Sequence, residues 1–229
     1  MNKIIAFARV FILLFISGAC NEQAKPSPGN ADSGIVEKSP AATPSIKTIL
    51  FFGNSLTAGY GLDDPSLAFA SLIQQKIDSL HLPYKAVNAG VSGETSAGGN
   101  SRIEWVLRQP VDVFVLELGA NDGLRGIPVS ETRKNLQSII DKVKEKYPAV
   151  KLVLAGMQVP PNMGQKYAAD FRALYPELAK KNEMILIPFL LKGVGGEASL
   201  NQQDGIHPNV EGHKIIAGNV WHELKDVLE

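Results

Sequence analysis

Ile49-Leu50-Phe51-Phe52 runs directly into Gly53-Asn54-Ser55, and this junction constrains the fold more than any other stretch of the chain. Four apolar residues in a row, stopped by turn formers, are the pattern of a buried strand in a parallel sheet. In open α/β sheets ligands bind in the crevice beyond the carboxyl ends of the strands, so the strand delivers Ser55 to that rim. Ser55 is therefore a candidate nucleophile. Gly and Ser also suit ordinary turns for local backbone reasons, so the junction alone fits a plain turn equally well. It is not the Gly-x-Ser-x-Gly elbow of α/β-hydrolases, because Thr57 stands where the second glycine would be.

The remainder alternates strand and helix. Asp64-Pro65 reads as an N-cap followed by proline at the first helical position, and Phe69, Leu72, Ile73, Ile77 and Leu80 then repeat at helical spacing. Tyr84 to Asn88 is a short second strand, and the glycine- and serine-rich run from Gly90 to Gly99 reads as loop. Ile103, Val106 and Leu107 mark a helix ending before Gln109-Pro110. Val111 to Leu118 is the most strand-like run and stops in a turn over Gly119-Ala120-Asn121-Asp122-Gly123. Ser130 is expected to cap a helix with Leu136, Ile139, Ile140 and Val143 on its inner face. Lys151 to Ala155 is a fourth strand, Tyr167 to Lys181 a helix and Met184 to Ile187 a fifth strand. Asn209 can cap a last helix that turns Val210, Ile216, Ala217, Val220 and Leu224 inward. Strands separated by helices imply an α/β domain with a parallel sheet and helices on both faces.

The first 45 residues do not fit that pattern. Lys3 and Arg9 precede an apolar run, Val10 to Ile16, and Ser17-Gly18-Ala19 lead into Cys20. A basic start, a short apolar run and small residues are the features of a secretory signal, and the run is too short to cross a membrane. Small residues before Cys resemble a bacterial lipoprotein cleavage site, so residues 1–19 are read as a lipoprotein-type signal peptide and Cys20 as the lipidated residue. Simple secretion is the alternative. Residues 20–45 hold Pro26, Pro28, Pro40 and Pro44 and few large apolar side chains, a composition that cannot offset its ordering entropy. This tether would span roughly 25–30 Å as a random coil. The domain proper is expected over 46–229, in the envelope of a bacterial cell, periplasmic or outer-membrane, held to the membrane through Cys20.

Composition excludes one class of function. Lys and Arg number 23 and Asp and Glu number 23, leaving no basic excess to neutralise phosphates, so nucleic acid is not a partner. The single cysteine permits no intrachain disulfide.

Chemistry concentrates at the strand ends. Asp204-Gly205-Ile206-His207-Pro208 puts a carboxylate and an imidazole three residues apart in a turn, close enough to meet. The pair reads either as a base with its orienter or as two metal ligands, and no cluster of further ligands accompanies it. With Ser55 as nucleophile, Gly90 can offer a backbone N–H to a developing oxyanion and Asn121 a side-chain NH₂. His81, His213 and His222 read as structural or surface residues.

Gly53-Asn54-Ser55-Leu56, Asn88-Ala89-Gly90-Val91-Ser92-Gly93, Gly119-Ala120-Asn121-Asp122 and Asp204-Gly205-Ile206-His207-Pro208 together resemble the four sequence blocks of the GDSL/SGNH hydrolases. The likeness spans nearly all of 47–228. It is closest to the bacterial arylesterase branch that includes multifunctional thioesterase/lysophospholipase enzymes, as Leu116 to Gly126 and Gln158 to Tyr167 also resemble that branch. The resemblance implies a three-layer, flavodoxin-like fold with a five-stranded parallel sheet. It implies a catalytic triad of Ser55, Asp204 and His207, and an oxyanion hole built from Ser55, Gly90 and Asn121. It implies hydrolysis of acyl esters, thioesters or lysophospholipids through an acyl-enzyme, with no metal, no cofactor and a monomeric enzyme. A carbohydrate O-deacetylase, or a glycan- or lipid-binding lipoprotein without catalysis, is the alternative. One position departs from the pattern: the family's name-motif carries Asp where this chain has Asn54.

Overall fold

The computed structural model describes residues 45–228. The expected signal peptide, Cys20 and nearly all of the expected tether lie outside the described residues. In chain order the regular elements are β1 (Lys47–Gly53), α1 (Ser55–Ala58), α2 (Phe69–Ser79), β2 (Tyr84–Gly90) and α3 (Ser96–Val106). Then come β3 (Val113–Glu117), α4 (Ala120–Leu124), α5 (Val129–Lys146), β4 (Lys151–Ala155), α6 (Gln165–Asn182), β5 (Ile185–Ile187) and α7 (Val210–Leu224). All five strands pair in parallel in the order β2-β1-β3-β4-β5. This is the flavodoxin-like order, in which chain direction across the sheet reverses between β1 and β3 and opens a crevice at their carboxyl ends.

The sheet is covered on both faces, which is why its strands are apolar throughout. Ile49, Leu50, Phe51 and Phe52 of β1 are all buried, as are Val113 to Leu116 of β3 and Leu152 to Ala155 of β4. Burying each such large side chain stabilises the fold by about 1.5–3 kcal/mol. Helix α2 packs against α7, while α3 packs on α5 and α5 on α6, giving the two outer layers. The register aligns Gly53 with Gly90 and with Glu117, so the ends of β1, β2 and β3 form one level rim.

Several local expectations are corrected. The stretch from Gly90 to Gly99 is not all loop: α3 begins at Ser96, capped by the Thr95 side chain, and holds two glycines. Gly99 is there for packing, since a Cβ would lie 2.3 Å from Leu118 Cδ1. Ser130 does not cap α5; the helix starts at Val129 after Pro128, and Ser130 is already inside it. Asp64 caps only a 3-10 turn over Pro65–Leu67, and the longer helix starts afresh at Phe69. Asn121 and Asp122 belong to the short helix α4, where a turn was expected. Asn209 does cap α7, accepting from the Gly212 N–H.

Candidate active site

Ser55 opens α1 directly after β1, and the Asn54 side chain caps that turn by accepting from the Leu56 N–H at 2.9 Å. Ser55 is 7% exposed, so its hydroxyl sits at the floor of the rim. Across from it, residues 201–208 fold into a tight turn. Asn201 bridges to Pro208, the Gln202 N–H donates to His207 O, and Gly205 takes φ +69°, a conformation that glycine adopts without strain. The turn brings His207 Nε2 to 2.9 Å from Ser55 Oγ. His207 Nδ1 lies 2.6 Å from Asp204 Oδ2. The other Asp204 oxygen accepts the backbone N–H groups of Ile206 and His207 at 2.9 and 3.0 Å. The bond to the His207 side chain, then those two N–H groups, hold the Asp204 carboxyl down to about 2. It is therefore ionised wherever His207 is neutral, which keeps the proton on Nδ1 and leaves Nε2 as acceptor towards Ser55.

Asn121 stands in the first turn of α4, four residues beyond the end of β3. Gly119 before it takes φ +111°, and a Cβ there would fall 2.3 Å from the Tyr175 hydroxyl. One hydrogen of the Asn121 amide goes to Glu94 O at 2.9 Å, which fixes the side chain and leaves its second hydrogen for a ligand. Glu94 is in turn gripped by Arg102, which also donates to Ala89 O and lies over the Phe52 ring.

Ser55, Asn121 and His207 line one cavity of about 490 Å³. The rest of its wall is largely apolar, including Leu124, Met157, Val159, Phe189, Leu191 and Ile206. The Tyr60 ring lies 4.6 Å from the His207 imidazole, centroid to centroid.

The structure thus brings Ser55, Asp204, His207 and Asn121 together, and gives Gly90 a different task. The Gly90 N–H is already taken, donating to Asn88 Oδ1 at 3.0 Å. A Cβ at Gly90 would fall 2.3 Å from the Ala58 backbone N, so this glycine lets β2 approach α1. Its expected part in the oxyanion hole is corrected on that ground. Gly93, three residues on and at φ +78°, has no acceptor for its N–H among the described residues. Its carbonyl accepts from Arg125, and Glu94 beside it holds Asn121.

Three carboxylates near the site were missed at the level of sequence. Glu117 and Asp122 are both buried, and Glu94 is nearly so. Asp122 accepts from the Ser96 N–H and hydroxyl and from Thr132, tying α4 to the start of α3. For Glu117 the available signal was a carboxylate inside an apolar run, which must find donors once buried; Glu94 and Asp122 stand in glycine-rich stretches that carry no such signal.

The comparison with known proteins bears directly on this arrangement. The model of the GDSL-like Lipase/Acylhydrolase family matches residues 51–215. The chain belongs to that family. Esterase TesA of Pseudomonas aeruginosa is 38% identical over 185 residues, covering 80% of this chain and 90% of that protein. Thioesterase 1/protease 1/lysophospholipase L1 of Escherichia coli is 38% identical over 182 residues, 79% of this chain and 85% of that one. Among solved structures, the psychrotrophic esterase EstA from Pseudoalteromonas sp., inhibited by monoethylphosphonate, superposes with a TM-score of 0.74. It is 32% identical, covering 80% of this chain and 98% of that one. The α/β architecture expected from sequence is the one these family members share.

Proposed function

We propose that this chain is a serine carboxylic-ester hydrolase acting through Ser55, His207 and Asp204. The observation that carries the reading is the unbroken contact chain Ser55 Oγ–His207 Nε2–Asp204 Oδ2, at 2.9 and 2.6 Å. Neutral His207 takes the Ser55 proton as Oγ attacks the ester carbonyl carbon. The carbonyl oxygen becomes an oxyanion, stabilised by the Ser55 N–H and the free hydrogen of the Asn121 amide. The Gly93 N–H is the third donor in this reading, in place of Gly90. The intermediate collapses, His207 gives its proton to the leaving alcohol or thiol, and the acyl-enzyme remains on Ser55. Water, deprotonated by His207, then releases the acid.

The apolar wall beside Ser55 supports an acyl chain longer than acetate as the group held there. The relatives are named esterase, thioesterase and lysophospholipase, which supports carboxylic and lysolipid esters as substrates. An enzyme exported and lipidated at Cys20, as the sequence suggests, meets lysophospholipids more often than acyl thioesters. A panel of p-nitrophenyl esters of increasing chain length, with lysophosphatidylcholine and acetylated xylan beside it, tests the assignment. Rising kcat/KM from acetate to medium chains supports it. Turnover confined to acetylated xylan would instead make the protein a carbohydrate O-deacetylase, and no turnover at all would favour a binding protein.

A further inference from the structure

Beneath Ser55 lies a buried polar cluster that the hydrolytic steps leave unused. Glu117, Asn54 and Thr57 are each at most 1% exposed. Glu117 Oε1 accepts from Asn54 Nδ2 at 2.8 Å. Its Oε2 accepts from the Asn54 backbone N–H at 3.1 Å and from the Thr57 hydroxyl at 2.8 Å. The far end of the Asn54 amide is thereby turned towards the nucleophile. Asn54 Oδ1 accepts the Leu56 N–H at 2.9 Å and faces the Ser55 hydroxyl at 3.4 Å. The cluster has no slack, since a Cβ on Gly53 would sit 2.2 Å from Thr57 Oγ1 and 2.5 Å from Glu117 Oε2.

The two ends of an amide are not interchangeable here. An ionised carboxylate only accepts, so it must be met by the NH₂, and the amide oxygen must then point at Ser55 and Leu56. We propose that Glu117 and Asn54 form a donor–acceptor pair that positions Ser55, with Glu117 fixing the sense of the Asn54 amide and so the turn that presents the nucleophile. The proposal rests on the reading of Ser55 as nucleophile. It also accounts for the one departure from the family motif. Asn at position 54 supplies the donor that an ionised Glu117 needs, whereas a carboxylate there would face a second carboxylate, and two so close do not both ionise.

The pairing predicts a rescue. In Glu117→Gln the new amide has one acceptor, not two. Keeping that acceptor on the Asn54 N–H and Thr57 sets two NH₂ groups face to face. The Asn54 amide must then either clash or flip, and flipping withdraws the oxygen from Leu56 and Ser55. Adding Asn54→Asp restores every bond: the new carboxylate accepts from the new amide at one oxygen and from the Leu56 N–H at the other.

The test compares wild type, Glu117→Gln and Asn54→Asp/Glu117→Gln as full-length proteins. Read-outs are the rate of Ser55 modification by a fluorophosphonate, per folded molecule, and the thermal midpoint. Measurements are made at pH 8, above the value of about 7 to which burial raises Glu117 against its hydrogen bonds. Glu117→Gln should react about tenfold more slowly than wild type or more, with the double variant recovering most of the rate. If Glu117→Gln does not fold, a folded and reactive double variant supports the pairing equally. A double variant no better than Glu117→Gln overturns the proposal. So does one that recovers the midpoint without the rate, which would make the cluster merely structural. Failure of wild-type Ser55 to react at all would refute the nucleophile reading itself and, with it, the positioning role that rests on it.

Discussion

Replacing His213 with Asn should remove a specific part of the protein's acid sensitivity. His213 lies on α7 and is 1% exposed. Its Nδ1 accepts the Phe69 N–H at 3.2 Å, and its ring stacks near the Phe69 ring. Burial, assisted by the charge of His207, lowers its pKa from 6.5 to about 4. The folded state therefore keeps the imidazole neutral where the unfolded chain would take a proton. Stability from this group is present above 6.5 and is lost as pH falls from 6.5 towards 4. At about 1.4 kcal/mol per pH unit the loss comes to about 3 kcal/mol by pH 4. Glu117 works in the opposite sense. Its pKa is raised from 4.5 to about 7, so its contribution is present below 4.5 and is lost as pH rises through 7. The two slopes largely cancel between pH 4.5 and 6.5 in the wild type, which therefore hides both. Asn at position 213 keeps an acceptor for Phe69 and does not titrate. Urea unfolding of wild type and His213→Asn at intervals from pH 8 to pH 4 should show the variant gaining about 3 kcal/mol relative to wild type across that range. Asp204 does not interfere, because its lowered pKa acts only below 3.8. A difference between the two proteins that stays constant with pH would refute the reasoning.

Two further outcomes follow, one from the site and one from the expected signal peptide. Asn121→Ala should lower kcat by about 10²–10³ with little change in KM, as loss of one oxyanion donor does elsewhere; a change confined to KM, measured by steady-state hydrolysis of a p-nitrophenyl ester, would make Asn121 a substrate-binding group. In a bacterial host fed labelled palmitate, the wild type should take up label and Cys20→Ala should not; an unlabelled, soluble wild type would replace the lipoprotein reading with simple secretion.

The parts of the fold that were legible in the sequence are those where a single pattern had a single cause. Ile49 to Phe52 and Val113 to Leu116 are apolar without interruption because both faces of the sheet are covered, and each reads as a strand at once. Asp204 and His207 meet within one turn, so their spacing alone brought them together. Legibility failed where one residue type serves two purposes. Gly98 and Gly99 suggest loop, yet they lie in α3, and Gly99 is there because Leu118 and Phe52 crowd it. Gly90 looks like an oxyanion donor by its place in a loop after a strand, but it is a spacer between β2 and α1, and its N–H is taken by Asn88. Glu117 was hidden inside the most strand-like run of the chain. Its partners, Asn54 and Thr57, lie some sixty residues away, a pairing that no local pattern encodes.

The central claim is that Ser55 is a covalent nucleophile activated by His207. Intact-mass and peptide mass spectrometry after exposure to a fluorophosphonate tests it most directly. One adduct is expected, located on Ser55, absent in Ser55→Ala and slow to form in His207→Ala, with kcat for ester hydrolysis lower by about 10⁴–10⁶ in both variants. An adduct on any other serine, or full hydrolytic activity in Ser55→Ala, would contradict it.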